Sequence, residues 1–260
     1  MAEAELGVVL KTTPLRESDL LVVLYTAMHG RVAAVARGAR RSQRRFAGAL
    51  QLLVLGKYQL GRRPRGELWA LDTADVEREW TTLASDVFAV AHASYVAELV
   101  ASVMPAESPE PEVLDVIVGL WESLAEGGPS PAALRHVELA LLELAGHQPA
   151  LAACAACGET ALEAGAVFDP ARGGAICRRC AATSRGPGVR PLQPSTRAYL
   201  VEVTTAATPS QARAIDERHA AADRTAARDA MLAMVTSLVG KPLKSLEYIA
   251  KLGAAGKKPT

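Results

Sequence analysis

Along residues 1–80 the apolar positions come in short runs punctuated by glycine; beyond them they recur at helical spacing. The runs "ELGVVLKTT" (Glu5–Thr13), "DLLVVLYTAMHG" (Asp19–Gly30), "RVAAVARG" (Arg31–Gly38), "GALQLLVLGKYQL" (Gly48–Leu60) and "GELWALDTADV" (Gly66–Val76) read as strands. Gly56 predicts a kink in the fourth. Five such strands suit a small closed barrel, with an OB-fold the natural candidate and an SH3-like barrel the alternative. From Leu83 to Val103 the pattern is helical, and Pro109 and Pro111 break it. Val113, Val116, Ile117, Leu120, Trp121 and Leu124 then mark a second helix. A third carries its own signals: Ser130 as N-cap, Pro131 in the first turn and Gly146 past the end. Helical pattern resumes near Pro194, from Pro209 to Gly240 and over Leu243–Leu252, before a tail at 253–260 expected to be disordered. The expected fold class is α+β. A five-stranded N-terminal OB-fold barrel (1–80) precedes a mainly α-helical domain (81–252), which holds an insert at about 151–187.

That insert contains all four cysteines, Cys154, Cys157, Cys177 and Cys180, spaced as two C-x-x-C pairs. Two residues between cysteines permit a tight turn that aims both sulfurs at one point. Two such turns offer four thiolates to a tetrahedral Zn²⁺. Between the pairs, "AVF" and "GGAIC" flank "DPAR", a pattern for a hairpin that brings the pairs together. A closed four-thiolate site leaves no open position for catalysis, so one structural zinc per chain is the expectation. The βαβ surroundings of a redox C-x-x-C are missing. His147 lies near enough in sequence to be a further ligand, but four cysteines suffice. Arg178 and Arg179, between the last two cysteines, suit either contact with a phosphate or simple solvation.

Charge then changes the picture. The formal net charge is only +1, yet Gly30–Arg65 carries ten Lys/Arg and no Asp or Glu, while residues 66–150 carry fifteen acids and two bases. One face is thereby offered to a polyanion while the molecule stays near neutrality. Eight of the ten basic residues fall in two clusters. Arg37, Arg40, Arg41, Arg44 and Arg45 lie in a loop or strand edge, and Arg62, Arg63 and Arg65 in the next turn. The order of the strands is open at this point, so the two turns can share one rim or lie at opposite ends. The arginine fork suits phosphate. Of the few aromatics nearby, Tyr25, Phe46, Tyr58 and Trp69 each fit the core as well as a base-stacking platform, which points to phosphate-driven binding with little sequence preference.

Other chemistry finds no support. A phosphate-cradling G-x-x-x-x-G-K-[ST], H-E-x-x-H and G-x-S-x-G are all missing, and the five histidines are scattered. The carboxylates of 66–150 fall on polar helix faces, with no pair standing out as a catalytic dyad. An enzyme is not expected. The N-terminus has early acids and no signal-peptide core, and no run of about 18 uninterrupted apolar residues occurs, so the expected location is the cytoplasm. The competing readings are a zinc-containing interaction module for RNA or an acidic protein, and a zinc hydrolase of nucleic acid.

Several segments together resemble the RecO family of bacterial recombination mediators. They are "LRESDLLVVLYTAMHG", with Glu17-Ser18-Asp19 and Gly30, "ARGARRSQRRFAGALQ", "GELWALDTADV", the four cysteines and "KPLKSLEYI". The resemblance implies an OB-fold joined to a zinc-carrying helical domain. It implies a nucleoid-associated protein that binds single- and double-stranded DNA and anneals complementary strands. The protein would work with RecR to load RecA on strands coated by single-stranded-DNA-binding protein (SSB), and its helical domain would bind the acidic, apolar tail of SSB. By position, Arg37, Arg40, Arg41, Arg44 and Arg45 match the family's basic loop and would contact DNA, with Arg63 and Arg65 beside them. Cys154, Cys157, Cys177 and Cys180 match the family's zinc ligands. No motif marks the tail pocket; Lys241, Lys244 and Lys251 are offered as its basic neighbours.

Overall fold

Alternating burial along five strands builds the N-terminal part. They are β1 (Glu5–Pro14), β2 (Leu20–Thr26), β3 (Gly30–Ala36), β4 (Val54–Gly61) and β5 (Trp69–Glu79). The computed structural model describes residues 4–63, 66–162, 165–246 and 248–249; Arg65 and the tail at 253–260 lie outside them. The strands close in the order β1-β2-β3-β5-β4, antiparallel throughout except where β3 meets β5 in parallel. This is the five-stranded mixed barrel of an OB-fold. Val22, Leu24, Ala34, Tyr58 and Leu71 fill its interior. Gly7 on β1 faces Gly56 on β4, and a Cβ at Gly7 would come within 2.6 Å of the Tyr25 carbonyl, so the close approach requires glycine. At Gly56 the β4–β5 register shifts, where the sequence predicts a kink.

The fourth strand begins at Val54 instead of Gly48. The apolar residues ahead of it serve another purpose. α1 (Gln43–Phe46) and the turns that follow drop Phe46 and Ala49 into the barrel core, and the Tyr58 hydroxyl donates to the Ala49 carbonyl at 2.8 Å. A periodicity read as strand here reports burial without β-geometry.

The chain divides into two compact units: the chain up to Trp121 with the segment from Lys244, and Glu122–Leu243. In the first, the expected Leu83–Val103 helix is split into α2 (Thr81–Ala84) and α3 (Val87–Val103). Asp86 causes the break: its carboxylate caps α3, accepting from the Phe88 and Ala89 amides. Tyr95, Leu99 and Val100 of α3 are fully buried. α4 (Glu112–Gly127) carries Trp121, which packs edge-on against Trp80 at 5.1 Å.

In the second unit, α5 (Pro131–Leu144) starts as the sequence predicts. Ser130 Oγ accepts from the Ala133 amide, and Gly146 lies past the end at φ +75°. A small sheet of β6 (Val167–Asp169), β7 (Gly174–Ile176) and β8 (Arg190–Pro191) follows, in the order β7-β6-β8, with α6 (Arg178–Ala181) after β7. α7 (Pro194–Thr205), α8 (Pro209–Ala212) and α9 (Ala221–Val239) complete the unit; a 3-10 turn over Arg213–Glu217 interrupts the helix expected from Pro209 to Gly240. Leu142, Phe168, Ile176, Tyr199, Leu200 and Met231 form the core. Among the described residues, no helix is long and apolar enough to cross a membrane.

Candidate nucleic-acid interface and metal centre

The barrel's strand order decides where the two basic clusters fall. Val35 of β3 pairs with Ala70 of β5, and Gly61 of β4 pairs with the same Ala70 from the other side. The turn leaving β3 and the turn leaving β4 therefore emerge side by side. Between them lies an open groove of ≈ 730 Å³ whose lining includes Arg37, Arg45, Arg62 and Arg63, with Asp72 as a carboxylate in its wall. Arg37, Arg45 and Arg62 are exposed, while Arg63 is half-buried and its Nη2 is buried without an acceptor. Arg40, Arg41 and Arg44 are also exposed, on the same loop.

The Glu17-Ser18-Asp19 segment fixes the root of that loop. Asp19 Oδ1 accepts the Gly38 amide at 2.9 Å, and the Ser18 carbonyl accepts the Arg40 amide at 3.1 Å. The Glu17 carbonyl accepts from the Arg40 guanidinium at 3.2 Å, and the Glu17 carboxylate pairs with Arg41 at 3.0 Å. Gly38 itself has φ +65°, a backbone state glycine adopts without penalty. The Arg45 guanidinium donates to the Arg37 carbonyl, folding the loop back over its own start.

The four barrel aromatics are spent on the core. Tyr25 and Tyr58 are fully buried, and Phe46 and Trp69 are 3 % and 5 % exposed. None offers a face for a base. Trp69 instead organises charge. The Arg62 guanidinium lies over its ring at 4.3 Å, and its Nε1 donates to Glu107 at 3.0 Å. Glu107 pairs with Arg62 at 2.5 Å. Hydrogen bonds from Trp69 and Arg62 hold the Glu107 carboxyl below the usual carboxylate range. Glu107 was not found by sequence reasoning, because nothing local links it to a turn 45 positions away.

The cysteines come together as their spacing predicts. Their sulfurs all lie within 4.8 Å of one another, forming a group that can hold a metal ion. Cys154 and Cys177 are buried, Cys180 is half-buried and Cys157 exposed. The β6–β7 hairpin, with Phe168 opposite Ala175, leads directly into Cys177, and the Ala155 amide, donating to the Ala175 carbonyl at 2.8 Å, brings the first cysteine turn alongside. Asp169 Oδ1 accepts from the Ala171 and Arg172 amides at its turn, and Gly173 supplies the left-handed residue. Backbone donors surround the sulfurs. Burial pushes the Cys154 thiol up, but the Cys177, Ala156 and Cys157 amides outweigh it and bring it down to about 6. The Glu159 amide and the Cys180 thiol lower Cys157, while the Cys157 and Cys177 sulfurs push Cys180 up to about 12. Thiolates so close repel unless a cation joins them. The Cys157 and Cys177 sulfurs are 3.8 Å apart, the edge of a tetrahedron with metal–sulfur bonds of about 2.3 Å. The four-cysteine group contains no histidine, so His147 is not one of its members.

Lys241 and Lys244 are exposed; the Lys244 amide donates to Glu98 at 3.0 Å, and Lys251 lies outside the described residues.

Comparison with known proteins agrees over most of the chain. The family model "Recombination protein O N terminal" matches residues 1–79, and "Recombination protein O C terminal" matches 84–247. The DNA repair protein RecO of Anaeromyxobacter sp. (strain K) is 36 % identical over 247 residues, covering 95 % of each chain. The DNA repair protein RecO of Syntrophus aciditrophicus is 30 % identical over 251 residues, covering 96 % of each. That of Myxococcus xanthus is 30 % identical over 256 residues, 95 % of this chain and 96 % of its own. With a mixed five-stranded barrel, a helical remainder and a four-cysteine cluster, the chain belongs to the RecO family of non-enzymatic DNA repair and recombination proteins.

Proposed function

We propose that the barrel groove binds DNA through its phosphates, single- or double-stranded and without sequence preference, and that it holds one strand while a complementary strand pairs with it. The observation that carries this reading is the convergence of Arg37, Arg45, Arg62 and Arg63 on one groove; Arg63 Nη2 is in addition buried without an acceptor. A buried donor without a partner costs about 1–3 kcal/mol, which the Arg63 side chain would recover by turning out to a phosphate oxygen. Burial of the barrel aromatics leaves the bases free to pair. Guanidinium groups screen the repulsion between the two phosphate backbones, and no nucleotide hydrolysis is needed. Arg40, Arg41 and Arg44 extend the contact along the backbone; Arg65, beyond the described residues, belongs to the same turn. We assign a structural zinc to Cys154, Cys157, Cys177 and Cys180 on the chemistry of four sulfurs. Membership of the family supports RecR and the tail of SSB as partners, with RecA loaded on the cleared strand in the cytoplasm at the nucleoid.

The test is annealing of two complementary single strands, each coated with SSB, by the full chain without nucleotide. R37E/R45E/R63E runs alongside. Acceleration by the wild type and at least about tenfold loss of DNA affinity in the variant, as expected for three lost phosphate contacts, support the groove. Unchanged DNA binding by the variant overturns it. Tight binding to RNA or an acidic protein without annealing favours an interaction module instead.

A further inference from the structure

One arginine of the groove already holds a carboxylate. Arg62 lines the groove beside Arg37, Arg45 and Arg63, yet its guanidinium is engaged by the Glu107 carboxylate. Glu107 does not reach that position by relaxed geometry. Its φ is +55°, a left-handed conformation that costs a non-glycine residue of order 1 kcal/mol or more. The surrounding chain imposes it. Gly30 lets the segment approach β3 so closely that a Cβ there would sit 2.3 Å from the Ser108 carbonyl. The Glu107 amide donates to the Arg31 carbonyl at 3.0 Å, Arg31 Nε donates to the Met104 carbonyl at 2.8 Å, and the Tyr25 hydroxyl bridges to the Glu110 backbone. Trp69 then aims the carboxylate through its indole N–H. Strain of this kind, held by several neighbours, points to function more than to folding.

We propose that Glu107 is an internal phosphate mimic that competes with DNA for Arg62 and so sets the affinity of the groove. The inference rests on the groove being the DNA site. The pair is built for exchange: Arg62 is 61 % exposed and Glu107 37 %, so water screens their attraction and a backbone phosphate can displace the carboxylate. A protein that anneals strands must let the paired product go. An acid that reoccupies one arginine as the phosphate leaves makes release easier, while Arg37, Arg45 and Arg63 keep the site basic.

The test is binding of a labelled oligothymidine to full-length wild type, E107Q, R62Q and E107Q/R62Q across a salt series, with thermal melts to confirm folding. E107Q keeps a side-chain oxygen for the Trp69 indole and replaces the charged oxygen that accepts from Arg62 with a neutral amide group. It should bind roughly 2- to 5-fold tighter at low salt, with a salt slope steeper by about 0.7, one additional phosphate contact to a single strand. In the R62Q background the substitution should do nothing. Unchanged or weaker binding by E107Q overturns the inference, and so does equal tightening with and without Arg62, which would report net charge alone. If E107Q does not fold, E107N takes its place, since asparagine tolerates the left-handed backbone, and the same outcomes decide. R37E/R45E/R63E separates the two levels. If it loses DNA binding while E107Q changes nothing, only the mimic fails; if wild type and all variants bind alike, the groove reading fails with it.

Discussion

Single residues in this protein are used as anchors, and their cost depends on how deeply they are buried. Asp19, at the root of the basic loop, accepts the Gly38 amide and pins the start of a loop whose arginines are exposed. Arg135 and Glu138, one turn apart on α5, show the opposite case. Their side chains are 4 % and 0 % exposed and meet in a two-pronged pair, Nε to Oε2 at 2.6 Å and Nη2 to Oε1 at 2.5 Å. Two charges taken from water recover little net stability from each other, but either one left alone is severely unfavourable. R135M should therefore destabilise the protein by about 3–5 kcal/mol, whereas R135M/E138L should recover most of that loss. Denaturant unfolding of the two single variants and the double variant closes the cycle. Additive losses would mean that each side chain is held mainly by other neighbours.

At the scale of elements, the cysteine-bearing sheet is too small to account for its own order. β6 and β7 have three residues each and β8 has two, well below the usual strand length of about five or six. Phe168 and Ile176 bury against the helices of their unit, Cys154 joins the same cluster and Cys157 is exposed, so a metal joining the four sulfurs would add the tie that the turns otherwise have little of. Chelation at neutral pH should release one zinc per chain, make all four thiols reactive, and open residues 154–180 to protease while the barrel stays folded. Metal content by mass spectrometry, thiol titration and mapped proteolysis check each part; a chelated chain as protease-resistant as the loaded one would show that the apolar contacts suffice. This element was legible in the sequence because its signals are local: C-x-x-C turns, a hairpin marked by Asp169 and Gly173, and Ser130 and Pro131 opening α5. The run from Gly48 was misread because it is apolar for another reason, plugging the barrel end with Ala49.

The whole molecule is where sequence reading reaches its limit. That the two arginine turns share a groove follows from Ala70 pairing with both Val35 and Gly61, a closure that no local pattern announces. Glu107 contacts Arg62, which lines the groove, and Trp69, both far away in the chain. The same closure separates local charge from total charge. The protein carries +1 overall, with a pI near 7.7, so an association governed by net charge would fade once the pH passes that value. Arginine keeps its proton far above it, and the groove loses nothing. Counterion release counts phosphates contacted, not protein charge: three or four contacts to a single strand give a slope of log K against log salt of about −2 to −3. That slope should be the same at pH 6.5 and pH 8.5, although the net charge changes sign between them. Measuring single-strand binding over a salt series at the two pH values decides the matter. Equal slopes place the interaction in a fixed arginine groove. A slope that collapses at the higher pH would mean that histidines or net charge carry the DNA, and that the arginines are only a solvated surface.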